Sequence, residues 1–240
     1  MVDLVVLKQR NAERWSRAQL TRSAEFNNPA HKAVANKSTY LDVVRKTGMP
    51  DIAWVFVAAS HYREASQDFT RNLGQGDPLD KVTIRVPKGR GPFVGPDAFV
   101  DAAVDALKNC APYAARETDW SIAGMLTLLE RYNGTGYAVR GLASPYVWSG
   151  TNQYVRGKYV ADGVFDPSVV DKQLGCAGLI MRMMQIDPTI TFTGTTLSPR
   201  PPPKPARSPP APRPQPQLAS QPSGWAAFLS TVFRIFKRTS

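Results

Sequence analysis

A chain of 240 residues with 42% hydrophobic content has room for one good-sized domain or two small ones and an ordinary globular composition, so its net charge of +11 is the unusual quantity. Arg200, Lys204, Arg207, Arg213, Arg234, Lys237 and Arg238 carry +7 of that charge with no acid among residues 199–240, which leaves +4 for everything before them. The body is thus mildly basic, and without a basic stripe interleaved with aromatics it is not expected to bind nucleic acid. Cys110 and Cys176 are far apart and lack metal-ligand spacing, so neither a disulfide scaffold nor a metal site is expected. The first residues, MVDLVVLKQRNAERW, do not read as a Sec signal peptide, and no run reaches the ~20 apolar residues of a spanning helix. The expectation is a monomer made in the cytoplasm that needs no cofactor.

In chain order, residues 3–48 read as helical, with Leu4, Leu7, Trp15 and Leu20 scattered among many cations, until Gly48-Met49-Pro50 breaks the pattern. Pro50 and Asp51 suit the first turn of a helix, and Ile52 to Ala59 (IAWVFVAA) has no polar face, which marks a buried element. The glycines and Asp77-Pro78 of RNLGQGDP mark a turn, after which Val82, Ile84 and Val86 alternate with Lys81, Thr83 and Arg85 as in a half-buried strand. A small hairpin or sheet is therefore expected directly after the apolar helix. Pro96-Asp97 opens a helix to about Asn109, and another is expected from about Thr118 to Arg131, capped by Thr118 or Asp119. Asp97, Asp101 and Asp105, four residues apart, read as a solvated helix face. Tyr132 to Tyr159 reads as an aromatic loop among glycines, amides and hydroxyls, and Asp166-Pro167 as the start of a last helix over Ser168 to about Met184. Residues 199–222, with 11 prolines in 24 positions, read as a polyproline-biased linker. Trp225, Phe228, Leu229, Val232, Ile235 and Phe236 then have amphipathic helical spacing over 223–240, too short to cross a bilayer but suited to a membrane surface, and Pro202-Pro203-Lys204-Pro205 offers a PxxP ligand to a partner. The domain limits expected are 1–198, with its core at about 50–185, then 199–222 and 223–240.

Glu64 stands just past the apolar helix, where a core element meets water. Desolvation raises a carboxyl pKa and the negative end of the helix dipole pushes the same way. The dipole is worth about 0.3–1 kcal/mol, under one pKa unit, so apolar walls must supply most of any shift. A neutral carboxyl there suits a general acid. Asp77 in the turn and Thr83 on the expected strand could orient water or stabilise positive charge across a cleft, as glycosidic cleavage requires. The aromatics Tyr132, Tyr137, Tyr146, Trp148, Tyr154 and Tyr159, with Asn133 and Asn152, are the side-chain types that stack on and hydrogen-bond to pyranose rings, although the same rings would equally pack the loop onto the core. His61, one turn before Glu64, reads either as a tuning or substrate-binding group or as a structural histidine. With only His31 and His61 present, a Ser/His/Asp triad or His-rich zinc site has little to work with.

The order of helix-end Glu64, Gly-rich turn with Asp77, and Thr83 resembles the Glu/Asp/Thr arrangement of phage-type lysozymes, with a longer gap between Glu64 and Asp77. HYREASQDF (His61 to Phe69), LGQGDPL (Leu73 to Leu79) and the run from Leu129 to Gly163 are similar to lysozyme-family proteins of phages and bacterial genomes. The resemblance covers about residues 50–185. It implies a mainly α fold with a small β-hairpin, α+β and lysozyme-like, and an endolysin-type muramidase acting on peptidoglycan after assisted export or lysis. It carries Glu64 over as acid, with Asp77 and Thr83 as its catalytic partners; read from their own chemistry, His61, Tyr132, Asn133, Tyr137, Tyr146, Trp148 and Asn152 are the expected substrate contacts. Asp68 and Asp80 are the substitutes for Asp77. Ala65 stands where lytic transglycosylases commonly place Ser after the acid, which favours hydrolysis over non-hydrolytic cleavage. The alternative of another class is a non-catalytic wall-binding or adaptor protein.

Overall fold

Asp3 starts the first helix by accepting hydrogen bonds from the amides of Val5 and Val6, and α1 runs over Leu4–Arg17, burying Leu7, Asn11 and Trp15 on one four-residue stripe. The computed structural model describes residues 2–192, so the linker expected over 199–222 and the amphipathic helix expected over 223–240 lie outside the described residues. The helical region 3–48 is three helices: after α1 come a 3₁₀ turn (Ser23–Phe26), α2 (Asn27–Ala35) and α3 (Lys37–Thr47), the last ended by Gly48 at φ 80°. A second 3₁₀ turn, Asp51–Ala53, leads into α4 (Trp54–Ala65), buried without interruption from Trp54 to His61. Then follow α5 (Ala98–Asn109), α6 (Ile122–Asn133), and the short α7 (Gly136–Val139) and α8 (Pro145–Trp148). A two-stranded antiparallel sheet of β1 (Lys158–Ala161) and β2 (Val164–Asp166) precedes α9 (Cys176–Ile186). The expectation of a mainly helical chain with a small antiparallel sheet holds.

The apolar α4 is the centre. It touches α2, α3, α6 and α9, while α1 lies on α6, α2 on α9 and α3 on α5. Gly178 lets α9 approach closely, since a Cβ there would overlap the Phe26 ring.

Four elements differ from expectation. The alternation from Lys81 to Pro87 forms no strand; Thr83 points inward and Val82, Ile84 and Val86 point out. Side-chain periodicity specifies a face only when a neighbouring strand supplies the ladder, and none does here; the sheet forms instead at residues 158–166, starting where the stretch read as a loop, Tyr132 to Tyr159, ends. The stretch read as a loop itself holds α7 and α8. The last helix begins at Cys176, because the backbone before it bonds sideways: Gly157 donates to the Val169 carbonyl, the Asp171 amide to the Tyr154 hydroxyl, and Gly175 to the Ser149 carbonyl. The helix expected from Thr118 begins at Ile122, where the Ser121 hydroxyl caps the Gly124 amide at 3.2 Å. The aspartate face of α5 is solvated as expected at Asp97 and Asp101, which pair with Lys46 at the surface, whereas Asp105 is largely covered and pairs with Arg90.

Candidate functional site

Burial of α4 fixes where Glu64 must be. Its apolar turns occupy the core, its last turn reaches the surface, and Ser66 at φ 52° turns the chain away. Residues 70–79 then fold back as a tight loop, with the Leu79 amide on the Thr70 carbonyl (3.0 Å), Asn72 on Asp77 (2.8 Å) and Gly76 on Asn72 (2.9 Å). This loop lies directly over the end of α4. Gly76 has φ +71°, and a Cβ on it would stand 2.5 Å from the Glu64 carbonyl oxygen, so only glycine fits. Gly76→Ala is expected to cost about 2–4 kcal/mol from steric overlap and left-handed strain together, measured by urea unfolding, and to lower any activity of Glu64 in the fraction that still folds.

Glu64 is half-buried as a residue, and its pKa is pushed up to about 7. Desolvation is the largest cause; the Tyr146 hydrogen bond and the Arg63 charge oppose it. Tyr146 donates its hydroxyl hydrogen to Glu64 Oε1 at 2.9 Å. The Tyr146 ring is held in turn by the Arg63 guanidinium, 4.8 Å from its centroid. Arg63 is buried in a polar nest: Nη2 meets Asp171 at 3.0 Å, and Nη1 donates to the carbonyls of Gln173 and Leu174 at 3.3 and 3.1 Å. Lys158 reaches the other Asp171 oxygen at 2.9 Å. Burial alone would raise the Asp171 pKa, but Lys158 and Arg63 together hold it below the usual range, so Asp171 stays ionised and Arg63 is fixed. The Tyr132 ring packs edge-on against Phe56, with centroids 5.6 Å apart, and its hydroxyl donates to the Leu73 carbonyl at 3.4 Å. Burial first, and the Glu64 charge second, raise its pKa.

Tyr146 stabilises the ionised form of Glu64, so removing its hydroxyl has a definite sign. Tyr146→Phe is expected to move the Glu64 titration midpoint further above about 7, read by NMR of the side-chain carboxyl carbon.

Asp77 and Thr83 are both buried, and their polar atoms are used within the loops. Asp77 Oδ2 accepts from the amides of Ile84 and Arg85 at 2.9 and 3.0 Å, and Arg85 Nε lies 3.5 Å from Oδ1. Thr83 donates to the Pro87 carbonyl at 2.8 Å and accepts from the Arg90 amide at 2.9 Å. The expectation of Thr83 on the polar face of a strand is corrected: its hydroxyl closes a loop. Asp77 follows Gly76 and so belongs to the loop lying on the Glu64 carbonyl, which brings these two expected partners into one neighbourhood. Asp68 instead caps Thr70 and pairs with Arg71, and Asp80 is exposed.

The aromatics divide sharply. Trp148 is wholly buried, its indole N–H donating to Asn11 Oδ1 at 3.4 Å, so it cannot stack on a sugar. Tyr137 is buried between Tyr159 and Phe165, and its hydroxyl accepts from the Tyr159 amide; Tyr154 is buried and donates to the Gly157 carbonyl. Asn152 is exposed but holds the α1 exit, accepting from the Gln19 amide and donating to the Arg17 carbonyl. Asn133 is exposed at the end of α6. His61 is a core residue: Nε2–H donates to the Asp68 carbonyl at 3.1 Å, which leaves Nδ1 to accept from the Tyr40 hydroxyl at 3.0 Å. It sits against Phe69 and Phe99 (centroids 4.7 and 4.5 Å), and burial pushes its pKa down to about 4. The substrate-contact expectations for His61, Trp148, Tyr137 and Tyr146 are therefore corrected to structural roles, because these side chains are enclosed; Asn152 is exposed, with its amide tied to the α1 exit. Of the expected contacts, Tyr146 and Tyr132 are the ones drawn to Glu64.

The brace of Arg63, Asp171 and Lys158 was not read from the sequence. Arg63 adjoins Glu64, but Asp171 lies more than a hundred positions downstream and no local pattern links the two. Among the described residues no three His, Cys, Asp or Glu side chains converge on a point that could hold a metal ion. The fold and site together define a mainly helical protein with a desolvated carboxyl at the end of its central helix. No protein-family model, curated protein or solved structure matches the chain.

Proposed function

We propose that the protein is a muramidase, cleaving the glycan strands of peptidoglycan with Glu64 as general acid on a lysozyme-like scaffold. The observation that supports this best is the state of Glu64. At a pKa of about 7 a substantial fraction is protonated near neutrality, as a general acid requires. Tyr146 aims Oε1 and keeps the ionised product form from being too costly, so the proton can be both given and recovered. The resemblance of residues 50–185 to phage-type lysozymes points to the same chemistry.

In the forward step Glu64 gives its proton to the leaving oxygen as positive charge develops on the sugar. Asp77, on the loop that lies over the Glu64 carbonyl, would have to release its Arg85 contact to oppose that developing charge or turn a water towards it. Its two amide bonds fix its position, and Thr83 holds the loop that carries those amides. Peptidoglycan zymography and a reducing-end assay on wild type and Glu64→Gln test the proposal: equal clearing by both would remove Glu64 from the mechanism. Anhydro-muropeptides in place of new reducing ends would make the enzyme a lytic transglycosylase, and binding without release of fragments would make it a wall-binding protein.

A further inference from the structure

The loop from Asp80 to Val94 has a composition that its own folding leaves unexplained. Its base is closed by the Phe93 amide on the Leu79 carbonyl at 2.7 Å, which makes it a self-contained surface loop. Inside, the Thr83 amide donates to the Arg90 carbonyl (2.9 Å) and the Gly89 amide to the Thr83 carbonyl (3.0 Å), while the Thr83 hydroxyl bonds Pro87 and Arg90. From below, Asp77 takes the amides of Ile84 and Arg85, and Gln75 Nε2 donates to the Pro87 carbonyl at 3.3 Å. From the side, Arg90 is ion-paired to Asp105 of α5. The loop is thus braced on three sides, with the Thr83 hydroxyl and several backbone amides turned inward.

What it turns outward is apolar. Val82, Ile84 and Val86 are 52%, 78% and 79% exposed, at alternate positions of one short segment. Single exposed aliphatics are ordinary on any surface. Three in succession on a loop whose small hydroxyl is buried and whose backbone donors are tied down form a displayed patch. Lys81 and Lys88 are exposed around it, Arg85 is exposed while its Nε lies against Asp77, and Asp80 is the one exposed acid from Asp80 to Val94. Carbohydrate recognition would call for aromatic faces and hydrogen-bonding groups, which β-branched aliphatics lack. A bilayer with anionic headgroups matches both features: aliphatic tips enter the interface and the cations around them meet the lipid phosphates.

We propose that residues 81–90 form an interfacial docking loop for a membrane surface bearing anionic lipids. This stands independently of the muramidase reading, since it uses neither Glu64 nor any cleavage. Because Gly76 and Asp77 join the loop's brace to the end of α4, a docked loop would also hold the end of α4 at a fixed orientation to the bilayer.

The test places an environment-sensitive fluorophore at Ile84→Cys in the full chain, with a control at the exposed Ser38→Cys of α3; the native Cys110 and Cys176 are buried. On phosphatidylglycerol/phosphatidylethanolamine vesicles the Ile84 label should brighten several-fold and shift to the blue, with little change on phosphatidylcholine and none at position 38. The triple variant V82S/I84S/V86S should bind anionic vesicles about tenfold more weakly with an unchanged melting temperature, because these side chains bury little. A label at Ile84 that stays water-like while the chain is vesicle-bound would overturn the proposal by showing that another segment does the binding. So would a chain that does not bind anionic vesicles, or an Ile84 label that responds to purified peptidoglycan or to an acidic protein partner and not to vesicles.

Discussion

Glu64→Gln is expected to lower glycan cleavage by about 10²–10⁴-fold, the range a positioned general acid contributes, with binding of peptidoglycan retained. Glutamine keeps the shape and can still accept from Tyr146, so the loss isolates the proton. Because the neutral form of Glu64 is the acid, wild-type activity should fall as pH rises through about 7, and initial rates from pH 5 to 9 on purified wall give that profile. A rate independent of pH across this range would mean that Glu64 is not the group donating the proton. The same ionisation acts on stability. The folded pKa lies above the ordinary value of 4.5, so the stabilisation is present below about pH 4.5 and is lost as pH rises through about 7. Relative to wild type, Glu64→Gln should therefore gain stability across that window, by at most about 3 kcal/mol.

His61→Ala is the substitution expected to damage the fold most. It removes a fully buried ring that contacts Tyr40, Phe69 and Phe99 and leaves the Tyr40 hydroxyl and the Asp68 carbonyl without their partner. A cavity of aromatic size costs about 3–5 kcal/mol at neutral pH, and the unpaired hydroxyl adds about 1–3 kcal/mol. The pH dependence has the opposite sign to that of Glu64. The folded pKa of His61, about 4, lies below its ordinary 6.5, so its stabilisation is complete above 6.5 and is lost as pH falls through 4. The gap between wild type and His61→Ala should accordingly narrow by up to about 3 kcal/mol from pH 7 to pH 4, as followed by urea denaturation at each pH. A gap that stays constant would show that the imidazole is not held neutral in the folded protein.

Much of the helical framework is visible locally. The polar-faceless run from Ile52 to Ala59 specifies a buried helix, Gly48 and Pro50 punctuate it, and Glu64 follows at its exposed end without any need for distant information. Pro96 and amphipathic spacing similarly mark α5, and amphipathic spacing places α6 to within a few residues, although Ser121 and not Thr118 or Asp119 caps it. Period-two alternation failed at residues 81–87 because it records only which side chains share a side, and the choice of side was made by Asp77 and Arg90 reaching in from elsewhere. The aromatic run failed in a related way, since stacking on a sugar and packing in a core require the same side chains.

A mainly helical chain with a carboxyl at the end of its apolar central helix is written in local patterns, because side-chain periodicity and helix-breaking residues act over a few positions. The groups that surround that carboxyl come from distant parts of the chain. Tyr146 reaches Glu64 across 82 positions, and Asp171 reaches Arg63 across 108, at distances in sequence over which neither periodicity nor spacing carries a signal. The degree of desolvation that brings Glu64 to a pKa of about 7 depends on all of those neighbours at once, and it exists only when they are assembled.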